Sequence, residues 1–234
     1  MQIYTATCAG DKLEKVKHYG LGIMISPSPN FLPRKAFVEE HEGVVVNKVP
    51  CALDNGAFQA YKKGYPFQES LFLQTIENCY ALSITLDFIV CPDIVGGGRR
   101  SLEFSLEWTE RKLRGTPRLA LVVQNDGITK ESPLQLRQDM TPEMLSQYDL
   151  TAFSHLFIGG SVEWKWQTAD SWVRFAHEIG KKCHIGQVGQ LRYLKFSDHI
   201  KADSVDSTSL VRNGSWHIVE EYESKKTLFK EDAA

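Results

Sequence analysis

Short apolar segments alternate with longer segments of helical periodicity along most of the chain. The apolar segments are rich in β-branched and aromatic residues, and most of them end in Gly, Asp, Gln or Ser. They are IYTATC (3–8), GIMIS (22–26), CALDNGAF (51–58), FIVCPDIVG (88–96), LALVVQ (119–124), HLFIGG (155–160), CHIGQVG (183–189) and SVDSTSL (204–210). Continuous apolar strands of this kind are typical of a parallel sheet that is buried on both faces.

The segments between these strands carry helical patterns. Helices are predicted over 68–82, 101–114, 141–148, 169–180 and 190–201. In the first of these helices, Phe72, Ile76 and Tyr80 recur at positions i, i+4 and i+8. Ser101 is a candidate N-cap of the second helix. Thr141 followed by Pro142 predicts a cap and a first-turn proline in the third.

Eight strands separated by helices in 234 residues predict an α/β fold, a single compact (β/α)₈ TIM barrel. The chain contains no evident linker, internal repeat or low-complexity tract, so we expect one domain over residues 1–234. Its charged segment at about 220–234 is expected to form a final helix with a frayed end. The pattern is weakest across 27–50, where no element is predicted.

Composition narrows the class of protein. The chain is 42% hydrophobic and 24% charged, which excludes disordered, collagenous and coiled-coil classes. No apolar run approaches the roughly 18–20 residues of a membrane span. The first residues lack the order of a signal peptide, so we expect a cytoplasmic protein that begins near Met1 and does not contact membranes. The net charge of −2 gives no strong overall attraction to nucleic acid, although a local basic face is compatible with it.

The five cysteines show no metal-binding or disulfide pattern. Their number is odd, and no pair has C-x-x-C spacing. We therefore expect buried free thiols, no metal site and no cofactor.

Polar residues fall at the carboxyl ends of the predicted strands, where TIM barrels carry their active sites. These residues are Asp54, Asn55, Asp93, Gln124, Gly159, Gly160 and Asp206. Turns also favour Asp and Gly, so each position alone has an ordinary structural explanation. Three carboxylates beside buried strands, however, must be paired, hydrogen-bonded or functional.

Several common reaction classes lack their motif here. There is no G-x-S-x-G, no H-E-x-x-H and no phosphate-binding P-loop. Gly96–Gly98, followed by Arg99 and Arg100, could bind a phosphate or form a flexible loop, and the sequence does not decide between them. Carboxylate chemistry remains, and it suits the cleavage of a glycosidic bond.

Five motifs, in order, resemble the tRNA-guanine transglycosylase superfamily. LDNGAFQ (53–59) resembles its D-S-G-G-F-Q signature, with Asn55 and Ala57 in place of Ser and Gly. The other similar segments are CPDIVGG (91–97), VVQNDG (122–127), FIGGS (157–161) and the long run at 184–214, in which Asp203 and Asp206 keep a two-Asp spacing.

The resemblance implies a base-exchange enzyme without a cofactor. Asp206 would be the nucleophile that attacks C1′ of a guanosine, and Asp54 would be the general acid and base. The edge of the base would be recognised by Asp93, Gln124, Gly159 and Gly160, and Phe58 would stack on its face.

The chain departs from the tRNA enzymes in lacking their zinc-binding subdomain, since no cysteine follows Cys183. It is more similar to the short DNA-modifying 7-deazaguanine transglycosylases of phages and bacteria. The expected partners are therefore DNA, with tRNA less favoured, and a free 7-deazapurine base of the 7-cyano-7-deazaguanine class. Arg99, Arg100 and Arg212 are the expected phosphate contacts. A homodimer is a weaker expectation.

Other interpretations stay open at this stage. Water in place of the incoming base would make the chain an N-glycosidase. An inactive homologue would only bind nucleic acid, although a binding module has no need of both Asp54 and Asp206. An unrelated barrel enzyme would act on a small sugar or phosphate. Trp164, Trp166 and Tyr193 could stack on an unpaired base, but core packing is their default role.

Overall fold

The computed structural model describes residues 1–28, 37–127 and 138–231, the last seven by their backbone alone. Ten strands lie in this part of the chain. They are β1 (Gln2–Ala6), β2 (Gly22–Ile25), β3 (Val38–His41), β4 (Val44–Asn47), β5 (Cys51–Leu53), β6 (Ile89–Val90), β7 (Leu119–Val123), β8 (Phe153–Ile158), β9 (Lys182–Ile185) and β10 (Ser204–Ser207).

Eight of these strands form a closed parallel barrel. Its order is β1-β10-β9-β8-β7-β6-β5-β2, and β2 closes the ring by pairing with β1, where Tyr4 lies opposite Gly22. The architecture confirms the predicted (β/α)₈ TIM barrel. The predicted strands extended too far at their carboxyl ends, because the Gly, Asp and Gln residues there belong to the loops above the barrel.

Helices surround the barrel. They are α1 (Asp11–His18), α2 (Ala57–Lys62), α3 (Glu69–Ala81), α4 (Arg99–Arg111), α5 (Pro142–Leu145), α6 (Val162–Glu178), α7 (Leu191–His199), α8 (Ser209–Arg212) and α9 (His217–Glu231). The sequence pattern predicted α3, α4, α5, α7 and the C-terminal helix, and it missed α1, α2 and α8. It began α6 too late, because the cap is Ser161, whose side chain accepts a hydrogen bond from the Trp164 N–H.

Two details of the helix prediction are wrong. Ser101 is not the N-cap of α4: the helix begins after Gly98, and Ser101 is buried inside its first turn. Tyr80 lies on the exposed side of α3, because Thr75 and Cys79 share the buried face with Phe72. The cap at Thr141 is confirmed, since its side chain accepts from the Met144 N–H.

An antiparallel hairpin occupies the part of 27–50 for which the pattern predicted no element. In it β3 pairs with β4, and Val38 lies opposite Asn47. The Asn47 side chain also bonds the backbone of Thr85, which ties the hairpin to the barrel wall.

The core has two layers that follow the alternation of side chains along each strand. The larger layer lies between the barrel and its helices. The smaller one fills the barrel interior, with Tyr4, Met24, Phe88, Val90 and Val122 among its members. These side chains fill the barrel interior, so the remaining open space lies at the carboxyl ends of the strands.

All five cysteines are free, as expected, and four of them are buried; Cys8 is partly exposed. Among the described helices, none is both long and apolar enough to cross a bilayer.

Candidate active site

A cavity of about 560 Å³ opens at the carboxyl ends of the barrel strands. Most of the residues predicted for the site lie in its wall: Asp54, Phe58, Asp93, Gln124, Gly159, Gly160, Asp206 and Arg212. Arg99 and Arg100 do not line it. They are exposed at the start of α4, where the Arg99 side chain pairs with Glu103 at 3.1 Å.

Asp206, on β10, is held through one of its two carboxylate oxygens. Oδ1 accepts the Gln187 backbone N–H at 3.1 Å and lies 3.1 Å from Nε2 of His184. The other ring nitrogen of His184 lies 2.8 Å from the Ser204 hydroxyl, which fixes the orientation of the imidazole. Within the described residues Oδ2 of Asp206 has no hydrogen-bond partner, so it is available to a ligand.

Lys165 is a site residue that sequence reasoning missed. It lies on α6 and is only 3% exposed, and its Nζ donates to the Gly186 carbonyl at the end of β9. Burial lowers the pKa of its amine to about 8, while the neighbouring Asp206 carboxylate acts in the opposite direction. The sequence contained a signal, since Lys165 shares a helix face with the buried residues Ala169, Trp172 and Ala176.

Asp54 follows β5 and lies in a different environment from Asp206. Its Oδ2 accepts a hydrogen bond from Ser26 at 3.3 Å. The pKa of Asp54 is raised to about 7, first by burial and then by the nearby carboxylates of Asp206 and Asp93, against hydrogen bonds that favour the charged form. A carboxyl group with this pKa can both give and take a proton near neutral pH.

Asp93, beyond β6, is held by two side-chain amides. Oδ1 accepts from Nδ2 of Asn55 at 2.7 Å, and Oδ2 accepts from Nε2 of Gln124 at 3.0 Å. The Asn55 carbonyl oxygen in turn accepts the N–H of Ala57 at the start of α2. Burial raises the pKa of Asp93, and the two amide donors lower it.

Gln124 lies in an internal network. Its Oε1 accepts the Gly96 N–H at 2.8 Å, and its Nε2 lies 2.8 Å from the Ser101 hydroxyl as well as close to Asp93. The amide is therefore already engaged at both ends. Its direct contact with a base stays a prediction, whereas the structure shows it orienting the carboxylate of Asp93.

The glycine pair after β8 is required by close packing. Gly160 has a φ of +77°, and a Cβ there would lie 2.7 Å from Oδ1 of Asn125. That oxygen accepts the Ser161 N–H at 2.8 Å. The N–H of Gly159 bonds Val123 in the barrel, while that of Gly160 has no partner within the described residues. Gly160 thus presents a free donor at the cavity wall.

Aromatic side chains lie at the rim and the floor of the cavity. Phe58, on α2, is exposed at the rim, and the Lys62 ammonium lies 5.5 Å from its ring centroid. Phe157 stacks on His184 at the floor with 4.6 Å between ring centroids.

Trp164, Trp166 and Tyr193 pack against other side chains of the protein, which is the default role expected from the sequence. Trp166 stacks on Tyr193 with 4.1 Å between ring centroids, and Trp164 packs near Trp172. None of the three lines the cavity.

Across the described ranges, no group of three or more His, Cys, Asp or Glu side chains has an arrangement that could hold a metal ion. Comparison with protein-family models yields no match to this chain, and comparison with curated proteins yields none either. The fold and the site therefore define a TIM barrel with a carboxylate-lined cavity, and its function has to be inferred from the chemistry of that cavity.

Proposed function

We propose that the chain is a nucleobase transglycosylase that exchanges guanine in DNA for a 7-deazaguanine derivative. The observation that carries the proposal is that Asp54, Asp93 and Asp206 line one cavity in three different environments. Residues at the strand ends of a barrel meet at one rim whatever their role, so the support comes from the three distinct environments of these carboxylates. The order and content of the motifs, which resemble the tRNA-guanine transglycosylase superfamily, supply the choice of substrate.

In the first half-reaction Asp206 is the nucleophile. An electron pair of Oδ2 forms a bond to C1′ while the bond from C1′ to N9 of guanine breaks, and the pair from that bond leaves with the base. The hydrogen bonds to Oδ1 hold the carboxylate in position for the attack. Asp54 supplies the proton that the departing guanine takes up, which its pKa near 7 permits.

The second half-reaction reverses these roles. Asp54, now a carboxylate, removes the proton from N9 of the incoming 7-deazapurine. N9 attacks C1′ and displaces Asp206, so the sugar keeps its configuration after two inversions. One residue with a pKa near neutrality serves both steps, because each step leaves it in the state that the other needs.

Lys165 and His184 act on the nucleophile Asp206 through charge and through a direct contact, respectively. The Lys165 ammonium attracts the carboxylate of Asp206, which otherwise shares its cavity with two other acids. His184 fixes the carboxylate through Oδ1. Together they give Asp206 a nearby positive charge and a fixed orientation.

The remaining wall suits a guanine-like edge. The Asp93 carboxylate can accept from N1–H and the amino group, and the free N–H of Gly160 can donate to the carbonyl oxygen. A volume of about 560 Å³ is enough for a purine with its sugar. Arg212 is exposed and lines the cavity, and in this proposal it contacts a phosphate of the strand.

The test supplies labelled guanine, or a labelled 7-deazaguanine, together with duplex DNA, single-stranded DNA or tRNA. We expect incorporation into DNA and a covalent protein–DNA adduct on a denaturing gel, both absent in Asp206→Ala. No incorporation into any of the three nucleic acids would reject the proposal. Abasic sites formed without incorporation would identify an N-glycosidase instead, and incorporation into tRNA alone would reject the choice of DNA.

A further inference from the structure

Three large aromatic side chains are exposed along one short segment at the mouth of the cavity. Phe58, Tyr61 and Tyr65 keep 40%, 65% and 60% of their surface exposed. Exposed rings of this size are costly on a surface that has no ligand, and a cluster of them marks a contact site. Two of them, Tyr61 and Tyr65, have no part in the proposed reaction.

The segment is a rigid ridge between two cavities. Phe58 and Tyr61 line the carboxylate cavity, whereas Tyr65 lines a second, adjoining cavity of about 630 Å³. Gln59 of α2 and Arg212 line both of them. A strand that runs from one cavity into the other can therefore pass over α2.

Backbone hydrogen bonds fix the positions of the rings. The Tyr65 N–H donates to the Ala60 carbonyl at 2.9 Å, and the Gly64 N–H donates to the Tyr61 carbonyl at 3.0 Å. With Gly64 at a φ of +71°, this is a Schellman ending of the helix. The buried Ala57 and Ala60 anchor the other side of α2 to the barrel.

Positive charge is interleaved with the rings. Lys62 lines the first cavity, and Lys63 lines the second. Arg212 lines both cavities, and no ion pair within the described residues neutralises Lys62, Lys63 or Arg212. Rings that stack on bases, interleaved with lysines that contact phosphates, are the recognised means of binding an unpaired strand.

We propose that this ridge, residues 57–65, is a stacking platform for the unpaired DNA nucleotides next to the one in the carboxylate cavity. The inference rests on the proposed function for the identity of the strand. Tyr61 and Tyr65 stack on bases, and Lys63 contacts a phosphate. The platform holds the strand open while the target nucleotide lies inside the barrel.

The test measures fluorescence anisotropy of a labelled 12-nucleotide single strand of DNA at fixed salt. Tyr61→Ala/Tyr65→Ala is expected to weaken binding about 10-fold or more, because stacking contributes roughly 1–3 kcal/mol per base. Tyr61→Phe/Tyr65→Phe keeps the rings and should bind like the unaltered protein. Tyr80→Ala is the matched control, since Tyr80 is 48% exposed on α3 and lines neither cavity.

Three results would overturn the platform. They are an unchanged affinity in Tyr61→Ala/Tyr65→Ala, an equal loss in Tyr80→Ala, and binding of blunt duplex DNA or of RNA as tight as that of the single strand. Thermal melting of each variant shows whether it is folded. Tyrosine-dependent binding without base exchange would refute the proposed function and leave the platform standing. Unchanged base exchange on DNA in Tyr61→Ala/Tyr65→Ala would support the proposed function and refute the platform.

Discussion

Nε2 of His184 lies 3.1 Å from Oδ1 of Asp206, and the two residues lie on neighbouring strands, β9 and β10, in which His184 is opposite Ser204. The imidazole is fully buried, and its second nitrogen is engaged by Ser204. His184 can therefore hold only one orientation, and it transmits that orientation to the carboxylate.

His184→Phe keeps the ring that stacks on Phe157 but removes the contact with Asp206. We expect the exchange rate to fall by about 10- to 100-fold, because small displacements of a reacting group have effects of this size. The free energy of unfolding should fall by about 1–3 kcal/mol, since the Ser204 hydroxyl loses its partner. The exchange rate and the free energy of unfolding, the latter from urea denaturation, are measured on the same protein.

His155→Phe is the control for this variant. His155 is also buried, packs on Phe88 and lies 2.8 Å from the Ser154 hydroxyl, but it has no hydrogen bond to Asp206. It should lose similar stability and keep its rate. Equal rate losses in both variants would show that the effect of His184 is only structural.

Lys165→Met replaces the buried ammonium with an apolar chain of similar length. We expect loss of most of the exchange activity, because Asp206 loses its counter-charge. The unaltered protein should also lose activity as the pH rises through about 8, where Lys165 releases its proton. Lys182→Met, which removes an exposed lysine from β9, is the control. An exchange rate in Lys165→Met equal to that in Lys182→Met would contradict this role.

Asp54→Asn tests the raised pKa of Asp54 through stability. In the unfolded chain the carboxyl group ionises near its ordinary pKa of 3.8, and in the folded chain only near 7. Between these pH values the folded state binds more protons, so the stability of the unaltered protein falls as the pH rises. The loss of folding stability is complete once the pH is above the folded-state pKa of about 7.

The uncharged amide does not titrate, so Asp54→Asn should melt at a higher temperature than the unaltered protein at pH 8 and close to it at pH 4. The expected gain at pH 8 is on the order of 4 kcal/mol, since the pKa differs by about three units between the two states and each unit is worth about 1.4 kcal/mol. Exchange activity should be lost at the same time. An equal difference in melting temperature at both pH values would refute the assignment.

Gly160→Ala tests the close packing of the glycine pair. The new Cβ would approach Oδ1 of Asn125 to 2.7 Å, so the loop and its free N–H must shift. We expect a 10-fold or larger rise in KM for the base. Gly180→Ala is the matched control, because Gly180 has a similar φ of +69° and its Cβ would meet nothing within 4 Å.

Both variants pay the cost of a left-handed alanine, about 1 kcal/mol, so they should lose similar backbone stability. Only Gly160→Ala should affect base binding. Similar KM values in the two variants would remove Gly160 from the site.

Much of the barrel could be predicted from the sequence, because strands buried on both faces are continuous apolar runs. The errors have physical causes. α2 was missed because its start lies within the apolar run at 51–58, which was interpreted as one strand. Gly56 turns the chain there at a φ of +79° after β5 has ended. Ser101 resembled a cap, yet it is buried by the packing of α4 on the loop that carries Gln124.

The site residues also divide into those that the sequence predicted and one that it did not. Asp54, Asp93 and Asp206 were found from the sequence because strand ends of a parallel barrel meet at one rim. Lys165 was not, because lysine in a helical pattern normally lies on the solvent face, and only the packing of α6 against β9 buries its amine.

The sequence by itself determined the alternation of strands and helices and the presence of carboxylates at the strand ends, since both are local patterns in the chain. The tertiary structure alone decided the environment of each carboxylate. Burial and neighbouring charges place Asp54 near a pKa of 7, amides orient Asp93, and His184 contacts Asp206 while Lys165 supplies a nearby charge. These are contacts between distant segments, and electrostatic energies depend on distance and solvent exclusion rather than on position in the chain.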